Sequence, residues 1–299
     1  MLVKQKNTVR CQDAYVDGWD YKKVDSNSKK DVFLGQIKIQ EKQSERYLWD
    51  IISTDGTNLN KFLDRKNRGI GIALQILSLL EKMPLGKYYF QTFVILRNSL
   101  LISSILSSCE AWYYLTKKEI EHLNYPDKFI LQKLFEVPRT VPTEMFFLEL
   151  GIIPIQFIII QRRLIYFQHI MKQEESSLIY SFIKTQFESM KHKDWIKTVI
   201  ENIQYLQLNL TFSEIKNISK RKFRLLIKKS IAEKAYSYLI ERKSQHSKVF
   251  NINYNNIFQM QDYLKPNNEN ITVDQRKYIF HLHTRAIDIK QITKISIVI

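Results

Sequence analysis

With 299 residues, 44% of them hydrophobic, the chain has apolar side chains for a sizeable core, which excludes a disordered class. Only 7 Gly and 6 Pro leave few turn signals, so the short, regularly punctuated strands of a sandwich or barrel are excluded in favour of long helices, and the fold class expected is mainly α, a helical bundle. A formal net charge of +16 calls for an anionic partner, nucleic acid before a membrane surface.

Residues 1–30 are polar and without periodicity, and read as a poorly ordered N-terminal segment that opens without the apolar run of a secretory signal. Asp13, Asp17 and Asp20 lie close together there but lack a metal-loop pattern, so they read as solvated. Over residues 31–58 apolar residues alternate with polar ones, as in Val32, Leu34, Ile37 and Ile39, and the stretch ends in Ser53-Thr54-Asp55-Gly56; a small β-hairpin is expected. A helix is then expected over residues 59–82, stopped by Pro84 and Gly86, and a long central one over residues 87–115. Thr116-Lys117-Lys118-Glu119 has the spacing of a capping box that opens the next helix. Thr143 is the expected cap of a short helix ending at Gly151, and a further helix runs from about Pro154 to residue 172. Residues 59–172 are thus taken as one helical domain and residues 173–299 as a basic C-terminal helical region, with helices over 178–190 and 195–206 and a second capping box at Thr211-Phe212-Ser213-Glu214. Residues 251–270, rich in Asn and containing Pro266, read as loop.

The two most apolar stretches, residues 88–106 and 151–170, are broken by Arg97 and Asn98 and by Pro154 and the Arg162-Arg163 pair. They read as buried helices, and no membrane partner is expected. Cys11 and Cys109 stand far apart without a Cys-x-x-Cys context, so neither a disulfide framework nor a zinc site is expected, and the compartment expected is reducing and intracellular, nucleus or cytoplasm alike.

No nucleotide-cradling glycine loop, nucleophile elbow or His-Glu-x-x-His pattern occurs, so no catalytic residue and no small-molecule substrate are assigned. Two-metal nucleotidyl transfer needs carboxylates that hold two Mg²⁺ about 4 Å apart, and the chain has no adjacent Asp-Asp pair. His281-Leu282-His283 would share a metal only on a strand, with no Cys or carboxylate beside it, so metal ligands are read as none.

Charge placement is more informative. Residues 151–250 carry 18 Lys or Arg against 8 Asp or Glu, a net of +10. Lys216, Lys220, Arg221, Lys222, Arg224, Lys228, Lys229 and Lys234 fall in a helical stretch whose apolar residues Phe223, Leu226, Ile227, Ile231, Ala235 and Tyr238 lie along one side. One side packs while the other meets phosphate, or else is simply solvated. Arg65, Lys66 and Arg68, and Arg162 with Arg163 beside Tyr166 and Phe167, are further candidate phosphate contacts.

The order of short motifs resembles one family. Tyr47-Leu48-Trp49-Asp50-Ile51-Ile52-Ser53-Thr54-Asp55-Gly56 is similar to the YLGxxIxxDG element that follows the catalytic palm of non-LTR (LINE-type) retrotransposon endonuclease/reverse transcriptases, with Trp49 where the family commonly has Gly. Arg65 with Gly69, Arg97-Asn98-Ser99-Leu100-Leu101, and Cys109-Glu110-Ala111-Trp112-Tyr113 are similar to its thumb helices. Pro142-Thr143-Glu144 to Leu148-Glu149-Leu150-Gly151-Ile152-Ile153-Pro154-Ile155, with Arg162-Arg163 after it, resembles the PxxxxxLELGxxPI element, and Thr284-Arg285 with Asp288-Ile289-Lys290 resembles TRxxDxK. The resemblance spans about residues 31–290 and implies a β-hairpin at the palm–thumb junction, a thumb-like helical domain, and a grip on RNA, DNA or an RNA–DNA hybrid. A palm-containing chain would be a further partner. It implies no polymerase activity for this chain alone, because the Tyr/Phe-x-Asp-Asp site is absent; any Mg²⁺ would belong to that palm, and no other cofactor is implied. No Cys-x-x-Cys knuckle follows the last motif. The alternative is an inert or domesticated helical protein-interaction module that binds no nucleic acid.

Overall fold

The computed structural model describes residues 32–34, 37–39, 44–47, 50–53, 59–189, 194–246, 258–268 and 270–284, and the chain is mainly helical. Residues 1–30, the Asn-rich residues 251–257 and everything after Thr284 lie outside them, and with them Asp13, Asp17, Asp20 and most of the TRxxDxK segment. Four short strands come first: β1 (Val32–Leu34) pairs antiparallel with β2 (Ile37–Ile39), and β3 (Ser44–Tyr47) with β4 (Asp50–Ser53), as two separate pairs.

Helix α1 (Leu59–Lys82) packs along α4 (Lys117–Leu134), which opens with the Thr116–Glu119 capping box. Gly69 sets their spacing. A Cβ there would lie 2.7 Å from Pro126 Cγ and 2.9 Å from Ile105 Cγ2, so only hydrogen fits at the crossing.

The single helix expected over residues 87–115 is instead broken. Helix α2 (Tyr89–Leu96) widens into a π-helical turn (Arg97–Ile102), resumes as α3 (Ser103–Ile105) and stops; Ser108 turns the chain at φ 58°, a 3₁₀ turn (Cys109–Ala111) follows, and Trp112 is extended. The physical reason lies in the acceptors. A helix end leaves carbonyls without partners, and here arginines from two other helices take them. Arg65 Nη1 of α1 donates to Ile105 O at 2.8 Å and Arg162 Nη1 to Leu106 O at 2.9 Å, while Arg163 Nη2 donates to Trp112 O at 2.9 Å. Cations also suit the negative end of the helix dipole. Periodicity cannot reveal acceptor partners that come from elsewhere in the chain.

Helix α5 (Thr143–Leu150) is preceded by Pro142 in the cap position, so Thr143 lies inside the helix and is not its cap. Gly151 ends α5 at φ 64°, and a side chain there would run into the backbone of Gln259 and Met260. Then come α6 (Ile155–Met171), α7 (Leu178–Glu188), α8 (Trp195–Tyr205), α9 (Phe212–Asn217), α10 (Lys220–Ser244), a 3₁₀ turn (Asp262–Leu264) and α11 (Val273–Thr284). Among the described residues no single helix is long and apolar enough to cross a membrane; α5 and α6 reach that apolar length only as a pair bent by 61°.

Two apolar clusters hold these helices. The first gathers α1 to α5 around Phe90, Phe135, Phe146 and Phe280, whose rings lie 4.0–5.7 Å apart, and the second gathers α6 to α10 around Phe167, Trp195, Ile196, Phe223 and Ile227. Residue 172 does not divide them: α6 places Ile155 and Ile159 in the first and Leu164 and Phe167 in the second, and α10 places Phe223 in the second and Leu239 in the first. Polar ties secure the far end of the chain. Arg276 of α11, fully buried, donates to Ile271 O, Lys87 O, Leu264 O and Asn268 O at 2.8–3.2 Å. The buried Glu149 carboxylate accepts from Tyr263 Oη at 2.9 Å and meets His283 Nδ1 at 2.9 Å.

Candidate nucleic-acid interface

The basic stretch is two helices, not one. Thr211 and Glu214 form the second capping box and start α9, which ends at Asn217; Ser219 then accepts from Lys222 N and starts α10. Lys216 therefore belongs to α9, where it sits 3.8 Å from Glu175 and 5.6 Å from the Tyr180 ring. The junction is held from α6: Gln168, buried, donates to Ile215 O at 3.2 Å and Ile218 O at 3.1 Å, and Lys172 Nζ donates to Ile218 O at 2.6 Å. These bonds fix where the first turn of α10 lies against α6.

Along α10 the residues Phe223, Ile227, Ile231, Ala235 and Leu239 recur at four-residue steps and are buried, which turns the other side outward. Arg221, Lys222, Lys228 and Lys229 are exposed on it, and Lys220 and Arg224, also exposed, stand at its edge toward α6. From residue 220 to 229 the helix rises roughly 14 Å, a length that spans about four phosphate steps of a strand. Lys234, half-buried, lies 6.0 Å from the Tyr205 ring.

On α6, Arg162, Tyr166 and His169 follow at helical spacing of four and three residues and share one side. That side meets the start of α10 across a cleft of about 430 Å³ lined by Glu110, Arg162, Tyr166, His169, Lys220 and Arg224. Two basic clusters that are about sixty positions apart in sequence thus share one opening. Arg162 is held in place by its bond to Leu106 O and by contact with the Cys109 sulfur. Trp195 Nε1 donates to Glu110 O at 2.8 Å, which fixes the Glu110 backbone at the cleft wall. Glu110 stands in the sequence only as part of the Cys109-Glu110-Ala111-Trp112-Tyr113 motif, with nothing to assign it to a cleft, and His169 is findable as the residue seven positions after Arg162.

Two candidate contacts are corrected. Arg65 is 1% exposed and Arg163 is 3% exposed, so neither reaches a phosphate in this conformation. Arg65 lies 4.7 Å from the Trp112 ring and binds Ile105 O and Ser107 Oγ, while burial lowers the Arg163 guanidinium to about 10. Both act inside the fold as donors to main-chain carbonyls. Arg68 pairs with Asp64 on its own helix, and Lys66 covers the Tyr125 ring at 4.2 Å; both are half-buried and stand away from the cleft. Phe167 is core.

His281 and His283 lie on helix α11, where residues two apart point to different sides; His281 Nε2 meets Phe135 O and His283 meets Glu149. Among the described residues no group of three His, Cys, Asp or Glu side chains converges on a common point. No family model, no curated protein and no solved structure matches the chain.

Proposed function

We propose that the chain is a thumb-like, nucleic-acid-binding part of a reverse transcriptase of the non-LTR retrotransposon type, which grips a template–primer duplex by its phosphates without reading sequence. The observation that carries this is the outward cationic face of α10, continuous with Arg162 at the α6 cleft. Lys and Arg on such a face displace the counterions condensed on a duplex, and that release makes affinity fall steeply with salt. On this reading residues 31–58 form the palm–thumb junction, the helices from α1 to α6 are the thumb, and the catalytic carboxylates with their Mg²⁺ are supplied by a palm-containing chain in an intracellular setting. The chain by itself catalyses no polymerisation.

The test is direct. The full chain should bind an RNA–DNA hybrid of about 20 base pairs at 50 mM salt, and log affinity should fall linearly with log salt concentration. Failure to bind at low salt, or an affinity indifferent to salt, contradicts the proposal.

A second reading, a helical protein-interaction module, is favoured by one observation. Helix α7 exposes Leu178 at 88% and Phe182 at 58%. Leu178→Ser with Phe182→Ser should leave hybrid binding unchanged if the cationic face is the site; a parent chain that binds no hybrid at low salt would favour the module.

A further inference from the structure

The α6–α10 cleft contains a group that a pure phosphate site would exclude. Arg162, Lys220 and Arg224 line it with positive charge, and Glu110 lines it too. Among the described residues the Glu110 carboxylate makes no ion pair, although three cations share its cleft. An ionised carboxylate has only acceptors to offer. A ligand of anionic character throughout would be repelled by it, whereas a ligand that joins an anionic end to a donor edge would satisfy both. An unpaired nucleotide has that chemistry: phosphate at one end and ring and amino N–H groups on the Watson–Crick edge of its base. The cleft volume of about 430 Å³ falls within the range of small-molecule sites, roughly 300–1,000 Å³. Tyr166 and His169, their rings 6.3 Å apart, line the same cleft, and aromatic rings are where splayed bases stack.

We propose that this cleft binds one unpaired guanine nucleotide at the edge of the nucleic-acid site, with Lys220 and Arg224 at the phosphate and Glu110 accepting from the base. Guanine is singled out because its ring N–H and its amino group are adjacent and point the same way, so both oxygens of one carboxylate are used. Cytosine and adenine offer the amino group without a neighbouring ring N–H, and uracil offers a single ring N–H. Two ties position the wall on the protein side: Arg162 is bonded to Leu106 O, and Trp195 holds the Glu110 main chain. This inference rests on the cationic-face reading and adds a base preference at one position to a grip that is otherwise indifferent to sequence.

The experiment uses the full chain and short single-stranded RNAs, a uridine octamer and three versions with one central guanosine, adenosine or cytidine. The guanosine strand should bind about tenfold more tightly than the uridine strand, the discrimination given by one bidentate contact. Glu110→Gln replaces one acceptor by a donor and removes a negative charge beside the phosphates. It should therefore abolish the guanosine preference while raising affinity for the all-uridine strand. Because the main-chain carbonyl that receives Trp195 is retained, the variant keeps that tie, and an unchanged melting temperature verifies its fold. Equal affinity for all four strands, with steep salt dependence intact, overturns the guanine site and leaves the cationic face standing. A guanosine preference that survives Glu110→Gln overturns the role of the carboxylate. No binding of any strand or hybrid at low salt overturns both proposals together.

Discussion

Cationic side chains turn inward in the first apolar cluster and outward along residues 220–229 of α10, although both regions are rich in Arg and Lys. Arg65, Arg97, Arg163 and Arg276 are at most 3% exposed, and each is met by carbonyls or by a carboxylate. Arg97 faces Asp127 with Nε to Oδ1 at 2.6 Å and Nη2 to Oδ2 at 2.5 Å, a two-pronged pair in the interior. By contrast Lys220, Arg221, Lys222, Arg224, Lys228 and Lys229 are all exposed, four of them opposite the apolar stripe of α10 and Lys220 and Arg224 at the cleft with α6. A buried guanidinium is set by acceptors it cannot leave, so it stabilises a particular chain path; an exposed row of cations contributes little to stability and is free for a polyanion. The same residue types thus do two kinds of work, and burial separates them.

Breaking an inward cation should have the largest effect. Asp127→Ala strands the Arg97 charge in the core and should cost about 3–5 kcal/mol in denaturant unfolding. Hybrid affinity of the folded fraction should stay unchanged; a parallel loss of binding at full stability would mean that the interior pair belongs to the interface. Arg163→Ala leaves the Trp112 carbonyl without its donor and should cost about 1–3 kcal/mol. Its salt dependence of binding should match the parent chain, since Arg163 reaches no phosphate.

Gly69→Ala tests the crossing that positions α1 and α4. A methyl group 2.7 Å from Pro126 Cγ should destabilise by about 1–3 kcal/mol, against the gain of up to about 1 kcal/mol that Ala usually brings to a helix. A stabilised variant would show that the crossing opens freely.

The thiol of Cys109, buried beside Arg162, gives a pH-dependent version of the same contrast. Burial raises it from its ordinary value near 9 to about 11. Between those values the unfolded chain releases this proton while the folded chain keeps it. The contribution to stability is therefore complete below pH 9 and declines as pH rises toward 11. In a Cys11→Ser background, native Cys109 should resist alkylation at pH 8 and react on unfolding. Rapid native labelling would show that the Arg162 side of the fold opens.

Much of the helical plan was legible locally. Helix α1 is stopped by Pro84 as its spacing implied, and both capping boxes form because Thr at the cap and Glu three residues on satisfy each other's amides. The end of α3 was not legible, since nothing near Leu106 announces that Arg162, fifty-six positions away, will take its carbonyl. Arg162 and Arg163 are adjacent in sequence, and helical geometry turns one to the cleft and the other to the core. Hydrophobic periodicity gave the apolar side of α10 correctly but could not show Ser219 as a cap, so one basic helix became two. The cleft itself was invisible for the same reason as the broken helix: it is made where α6, α10 and the turn at Glu110 meet.

The most direct test of the account is a salt series of RNA–DNA hybrid binding for the parent chain and for a variant carrying Lys220→Glu, Arg221→Glu, Arg224→Glu, Lys228→Glu and Lys229→Glu. All five positions are exposed, so the variant should fold with a near-parental melting temperature. If the five cations meet phosphate, the slope of log affinity against log salt should flatten by up to about 4, with affinity at 50 mM salt falling by at least about a hundredfold. A variant that keeps the parental affinity and slope would contradict the placement of the nucleic-acid site on α10.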